Sequence, residues 1–533
     1  VGDPALYELG RAIVRELGWV GPLELEFAKE NGSGRFFLLE VNARFPAWVY
    51  LAPAAGQNLP LTAVRLALGE DVSSFAPCRR GVMFFRSADE SALSVSGLGA
   101  FTTTGTLDLV ETRDLVGKSD LAGKQNPAGA RDPEGRGQGS GISGLRGTVA
   151  VTGLDASSRR ESGFAVLRCL RALRAEGLRL LGIAYDPYAA TAYRTDMVDE
   201  IHLLPHPAAG RGRFLASLVR LREEQGVEVL IPCHEADLPA LSCMAISGAA
   251  PSGSDTSTTR YGAVLPGAAL SGADTAALGI SCLIPREETL EGVSRLRQPD
   301  LCERLDIPAP RTHIVRTEAE ARIQAAALGY PVILKATREA GRFVAHSEEE
   351  LRTGYPYLKG EEAPQVIVQE YVRGEGFSVT ALATPEGRFL GGAVLKKIAC
   401  SHTGFAWGGV TVSRGDLLEI TRSIIENLRW TGPLEVEFIE EEETGRFVLL
   451  DLHPRFSPMV SFLPEAGINL PEALVRLALG EEEEAVANRI IDYKKGWTTF
   501  RYAEDIVSDM KCFSRFSIEK EIVYHGTAHC GAL

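Results

Sequence analysis

Two hydrophobic rhythms divide the chain. Between residues 147 and 242, short apolar runs (TVAVTGL, LRLLGIAYD, VDEIHLLP, VEVLIPCHEADL) alternate with amphipathic stretches of helical period (FAVLRCLRALRAEG, FLASLVRLREEQG). Runs apolar on both faces suit buried parallel strands, and helices with one apolar stripe suit the covers of such a sheet. The region therefore predicts a doubly wound α/β domain. Its first turn, GLDASSRRESG, lacks the GxGxxG pattern of a dinucleotide site. Elsewhere the period is two, as in LELEF, FFLLEVN, LEVEF and FVLLDLH. Such alternation predicts antiparallel strands with one buried face. In LEVEF it sets Glu435 and Glu437 on one face and Leu434, Val436 and Phe438 on the other.

One patterned block occurs twice. Residues 19–70 and 430–481 align without a gap, and 29 of the 52 positions are identical. Each copy places an acidic residue on an alternating strand (Glu26, Glu437), a second acidic residue 14 positions later (Glu40, Asp451) and an arginine four beyond that (Arg44, Arg455). The preceding segments also match, ALYELGRAIVRELGW against DLLEITRSIIENLRW, so the chain is expected to begin inside a domain, as an N-terminally truncated product. A repeat of this kind fixes the organisation before any motif is read. It predicts the C-terminal part of a first module at 1–114, a linker at 115–146, an α/β domain at 147–306 and a second module at 307–533. The linker is rich in Gly, Pro and charge and almost lacks large apolar residues, so it cannot offset its ordering entropy by burial. Residues 245–276, dominated by small residues, read as an insertion or mobile loop, and GWTTFRYAED near the end echoes GVMFFRSADE of the first module.

Composition narrows the partners. A chain of 533 residues that is 45% hydrophobic can bury several cores. Its net charge of −14 argues against a nucleic-acid backbone, whose binding depends on Lys and Arg. No apolar run approaches the ~18 residues of a membrane span, and the nine cysteines form no CxxC pair, so a reducing, cytoplasmic location is expected.

Six segments of the second module then come in a telling order: PAPRT (Pro308 to Thr312); GYPVILKAT with Lys335; VIVQEYVRGEGFSV with Gln369, Glu370, Tyr371, Val372 and Glu375; GGAVLKKIACSHTGFAWGGVTV with Lys396 and His402; LEVEF with Glu437; and LLDLHPRF with Asp451, His453 and Arg455. In that order they resemble the ATP-grasp superfamily, in its carbamoyl-phosphate-synthase-like branch, with a tandem arrangement of modules. The resemblance implies ATP-grasp modules of mixed α/β type and, as cofactors, ATP and Mg²⁺, with Mn²⁺ as the alternative ion. It gives Lys335 to the α and β phosphates, the hinge at Glu370 to Val372 to the adenine, and Glu437 and Asp451 to the metal. Arg455 would stabilise the transferred phosphoryl group, and Lys396 or His402 could touch the γ-phosphate. In the first module the corresponding residues are Glu26, Glu40, Asn42 and Arg44. A strand-end lysine suits a point charge on phosphate, and magnesium takes hard oxygen donors.

The second copy departs from the family pattern at four places. It has Asp451 for glutamate, His453 for an amide, a single glycine in the phosphate-covering segment TREAGRFVA, and Glu375 displaced by one position. The function expected is an ATP- and Mg-dependent carboxylate–amine ligase acting through an acyl phosphate on small carboxylate and amine substrates, an amino acid or peptide among them, with homo-oligomerisation left open. The alternative is a non-catalytic nucleotide-binding or scaffolding protein. Cys233, His234, Glu235 and Asp237 are grouped in LIPCHEADLPAL but lack four-ligand metal spacing and fit a strand-to-helix turn. Trp407 reads as packing.

Overall fold

The structure, a computed structural model, describes the chain outside residues 1–3, 31, 74, 76–77, 80–81, 95–144, 155–161, 188, 190, 192–193, 195, 243–277, 338–340, 360–364, 402–403, 405, 491, 510–516 and 519–533. The expected linker (but for residues 145–146), the whole of the small-residue insertion at 245–276, and His402 therefore lie outside the described residues. The chain divides into two compact units, Val1–Ser87 with Ala503–Ser517, and Ala88–Tyr502 with Ile518–Leu533.

The first unit holds the helix Pro4–Glu16, the hairpin strands β1 (Glu24–Lys29) and β2 (Phe36–Asn42), and the helix Leu59–Ala67; β3 (Val82–Ser94) begins in it. In β1 and β2, Glu26 lies opposite Glu40 and Phe27 opposite Leu38, so the register shifts by one residue between them.

The second unit opens with the strands β4 (Gly147–Val151), β5 (Leu178–Ala184), β6 (Glu200–Leu203) and β7 (Val229–Ile231). They run parallel in the order β6-β5-β4-β7. Ala150, Leu181, Ile183 and Leu230 pack with Phe214 and Leu218 of the helix Arg211–Gln225. The alternating reading of 147–242 is thus a doubly wound sheet. A small antiparallel sheet follows, built of β8 (Thr312–Val315), β9 (Val332–Ala336), β10 (Arg342–Ala345) and β11 (Val366–Glu370) in the order β10-β9-β11-β8. Two capped helices cover it: Thr317 accepts from the Glu320 amide and Ser347 from the Glu350 amide.

The large antiparallel sheet contains β12 (Gly374–Ala383), β13 (Phe389–Cys400), β14 (Ala406–Thr411), β15 (Gly432–Glu441), β16 (Phe447–His453) and β17 (Trp497–Asp509), ordered β16-β15-β12-β13-β14-β17. Its apolar face carries Phe377, Val379, Val394, Leu434, Val436 and Phe438, packed against Leu417, Ile424 and Ile425 of the helix Gly415–Leu428. The opposite face carries Glu435 and Glu437, as alternation requires. In β15 and β16, Glu437 lies opposite Asp451 and Phe438 opposite Leu449, the same shift as in the first hairpin. Other local features also repeat. Trp19 and Trp430 each donate to a proline carbonyl three residues on, at 3.2 and 3.0 Å, and Asn58 and Asn469 each cap the following helix.

Burial differs between the copies. Leu38 and Val64 are 44% and 55% exposed, whereas their equivalents Leu449 and Val475 are both fully buried. Trp430 is likewise fully buried, and Trp19 is only half-buried. Trp430→Ala is accordingly expected to cost about 3–5 kcal/mol and Trp19→Ala much less, read as midpoint shifts in urea unfolding followed by circular dichroism.

Candidate functional site

The site forms where the small sheet meets the acidic face of the large one. The register shift in the second hairpin leaves Leu450 without a partner on β15, and its carbonyl turns to polar neighbours. Gln298 Nε2 donates to it at 2.9 Å and Lys335 Nζ at 3.3 Å. A bulge re-aims the backbone in this way at the cost of one ladder position. Lys335, near the end of β9 and only 4% exposed, also donates to Asp451 Oδ2 at 3.0 Å. Arg295 Nε stands 3.5 Å from Asp451 Oδ1. Across the hairpin, Glu437 Oε1 accepts from Lys397 Nζ at 2.6 Å. Glu437, Asp451 and His453 each bring one donor atom within 4.8 Å of the others.

The charges are set by these neighbours. Burial alone would raise the Asp451 carboxyl, but the Lys335 ammonium and the Arg295 guanidinium hold it well below the usual carboxylate range. For Glu437, burial is likewise overcome by Lys397 and then by His453, leaving it at about 2. Burial lowers His453, helped by Arg455. Burial also lowers Lys335, with Asp451 opposing it. At neutral pH the two carboxylates are therefore ionised and His453 is neutral, a donor set able to hold a divalent cation.

A cavity beside the cluster is lined by Arg295, Thr312, Lys335, Ile367, Gln369 and Asp451. Gln369 Nε2 donates to Thr312 Oγ1 at 2.9 Å, and Thr312 Oγ1 itself donates to the Pro310 carbonyl at 2.8 Å. That chain fixes which end of the amide is nitrogen. It leaves Gln369 Oε1 buried with no hydrogen-bond partner among the described residues, an acceptor waiting for a donor. Glu370 is occupied: its carboxylate takes a two-pronged pairing from Arg311 at 3.0 and 2.8 Å, and its amide donates to the Arg311 carbonyl. Tyr371 is 40% exposed and Val372 half-buried.

Some expected residues are not gathered here. Lys396 pairs with Glu375 at 2.7 Å. The register that sets Lys396 opposite Phe377, and Phe377 opposite Phe438, puts this pair on the helix-covered face, away from Glu437. Lys397, one residue later, is the lysine that reaches the cluster; its face follows from the β12–β13 register, which sequence periodicity alone does not supply. Arg295 lies outside every motif. Arg455 is 3% exposed and donates to Glu435 Oε2 and the Phe456 carbonyl, both at 2.9 Å, while Ser378 donates to the other Glu435 oxygen at 2.8 Å. The first hairpin repeats the arrangement: Arg44 Nη1 lies 3.0 Å from Glu24 Oε2, and Glu26 and Glu40 face each other, both exposed. Trp407 is half-buried on β14.

Cys233 to Asp237 form the turn between β7 and the helix Asp237–Ser242. Asp237 is fully buried; it accepts from Tyr185 Oη at 2.5 Å and from the Thr152 hydroxyl. Burial pushes its carboxyl up to about 7, against the pull of those hydrogen bonds. The neighbouring Glu235 Oε1 stands 3.9 Å from His453 Nδ1.

Two measurements test these electrostatics. Asp451→Asn leaves Lys335 buried without its carboxylate and should cost about 3–5 kcal/mol, most of it recovered in Lys335→Met/Asp451→Leu, read by urea unfolding. Asp237, raised above its unfolded value of about 3.9, contributes stability that is complete below pH ~4 and lost as pH rises through about 7. The melting temperature should therefore fall more between pH 4.5 and 7.5 in the parent than in Asp237→Asn; equal slopes would refute the assignment.

Parts of the chain are similar to known proteins. A family described as ATP-grasp in the biosynthetic pathway with Ter operon matches residues 362–499. The carbamoyl phosphate synthase large chain of Clostridium perfringens is 26% identical over 198 residues, covering 34% of this chain and 18% of that protein. Acetyl-CoA carboxylase 1 of Oryza sativa subsp. japonica is 26% identical over 200 residues, covering 34% of this chain and 9% of that protein. The chain thus spans less than a fifth of the curated relatives it matches. Biotin carboxylase from Campylobacter jejuni, solved as a β,γ-ATP complex, superposes with a TM-score of 0.46 at 15% identity over 62% of this chain and 71% of that one. Among the described residues no helix is long and apolar enough to cross a membrane. Residues 362–499 thus match an ATP-grasp family, and about a third of the chain is similar to carbamoyl phosphate synthase large chains.

Proposed function

We propose that the chain is an ATP- and divalent-cation-dependent ligase that joins a small carboxylate to an amine, with its site in a second ATP-grasp module at 307–533 preceded by an α/β domain at 147–306. Residues 1–114 are then the C-terminal part of a first module. The observation that carries the reading is the convergence of Lys335 from the small sheet with Glu437, Asp451 and His453 from the large one. In this reading a carboxylate oxygen of the substrate attacks the γ-phosphorus of ATP, the bond to ADP breaks, and the acyl phosphate so formed is attacked by the amine, which loses a proton as phosphate leaves.

Each residue has a physical task. Lys335 and Arg295 supply positive charge where the phosphates lie, and Lys397 adds a third cation beside Glu437. Gln369 Oε1 offers a buried acceptor to an amino group of the base. Arg455, locked on Glu435, steadies the acidic strand and lends charge to its face. Glu437 and Asp451 hold the divalent cation, which when bound neutralises charge on the phosphates. Most of the acceleration comes from such positioning and charge neutralisation. The acceptor amine and the carboxylate are small molecules such as amino acids or peptide termini.

A second reading, a nucleotide-binding scaffold without turnover, is favoured by one observation: each second-copy carboxylate already carries its own ammonium partner. The two separate in one assay. ADP release is measured with Mg-ATP or Mn-ATP and mixtures of amino acids, beside calorimetric ATP binding. Turnover that falls by ~10² or more in Lys335→Met and in Glu437→Gln, with the circular dichroism of both retained, is the expected result. ATP binding with no turnover on any mixture sinks the ligase reading in favour of the scaffold.

A further inference from the structure

We propose that the cation site of the second hairpin is built for a divalent transition metal, of the manganese-to-zinc series, in preference to magnesium. The inference rests on the reading above that Glu437 and Asp451 hold a cation, and it concerns what His453 adds to them.

The chain contains its own control. Both hairpins share one register and one bulge, with Asn42 opposite Glu24 in the first and His453 opposite Glu435 in the second. The same backbone position therefore presents an amide oxygen in one copy and an imidazole nitrogen in the other. Magnesium requires near-octahedral oxygen donors and binds imidazole poorly. A neutral imidazole beside carboxylates suits Mn²⁺, Fe²⁺, Co²⁺ or Zn²⁺.

The geometry supports a ligand role for the ring. One donor atom each of Glu437, Asp451 and His453 lies within 4.8 Å of the other two, and the His453 side chain is 12% exposed. The two differences between the copies are complementary in volume. An imidazole is larger than an amide, and Asp451 is one methylene shorter than the Glu40 it replaces, so the shorter carboxylate makes room for the ring. Metal-bound histidines are commonly oriented by a carboxylate on their other nitrogen. Glu235 Oε1 stands 3.9 Å from His453 Nδ1, and it would take that orienting place with Nε2 as the metal ligand. The lysine contacts do not block the site, because each ammonium takes one carboxylate oxygen (Glu437 Oε1, Asp451 Oδ2) and a carboxylate offers about four lone-pair positions.

The test uses the full chain in a Glu26→Gln/Glu40→Gln background, which removes the facing carboxylate pair of the first hairpin. The protein is loaded with Mn²⁺ in the presence of a non-hydrolysable ATP analogue, and electron spin echo envelope modulation is recorded with natural-abundance and with ¹⁵N-histidine-labelled protein. Directly bound imidazole gives nitrogen modulation that changes from the ¹⁴N to the ¹⁵N pattern on labelling and vanishes in His453→Asn. In parallel, the ratio of Mn²⁺ to Mg²⁺ affinity should fall at least ~10-fold in His453→Asn, a substitution whose side chain the first copy already carries at this position. Mn²⁺ bound in a manner that depends on Glu437 and Asp451, but without nitrogen modulation and with an unchanged ratio, overturns the inference and leaves the ligase reading standing. No binding of either ion with the analogue present overturns both.

Discussion

A lysine ammonium and an aspartate carboxylate, both removed from water, meet at 3.0 Å between two separate sheets, and the rest of the second unit is arranged around that contact. Neither charge could be buried alone, because the desolvation of each is repaid only by the other and by further hydrogen bonds. The surroundings supply them: the Leu450 carbonyl for Lys335 and the Arg295 guanidinium for Asp451. Because β9 belongs to the small sheet and β16 to the large one, the pair also sets where the two sheets touch. Fold and site are the same feature seen at two scales.

The bulge in the hairpin makes this possible. Side chains in a strand alternate faces, and one extra residue changes which of them point together. With the extra residue at Leu450, Asp451 and His453 lie on the face of Glu437 and Glu435, while Leu449 stays in the apolar core opposite Phe438. The first hairpin keeps the same offset although its strands are far more exposed. Local sequence therefore sets the register, and the surroundings decide how much of it is buried.

That division explains what could be read from residues alone. The strand faces of LEVEF, the 14-residue spacing from Glu437 to Asp451 and the parallel sheet of 147–242 follow from patterns within one or two elements, whereas Lys335 stands out through the family resemblance. What escaped depends on contacts between elements distant in sequence. Lys396 and Lys397 are indistinguishable by periodicity until the alignment of β13 on β12 is known. Arg295 approaches Asp451 from a segment with no motif. The capture of Glu370 by Arg311 and the unpartnered oxygen of Gln369 arise from the packing of β8 against β11.

The shared offset of the two hairpins has an evolutionary corollary. The strands of the two hairpins pair in the same register, with the same count between equivalent positions, so unequal crossing-over between the two coding stretches would splice one into the other without shifting any strand. The graft would keep the strand register, and the proposed cation ligands would travel with the transplanted cassette. Duplication in this chain thus supplies a ready means of retuning a site by recombination, with no need for stepwise substitution.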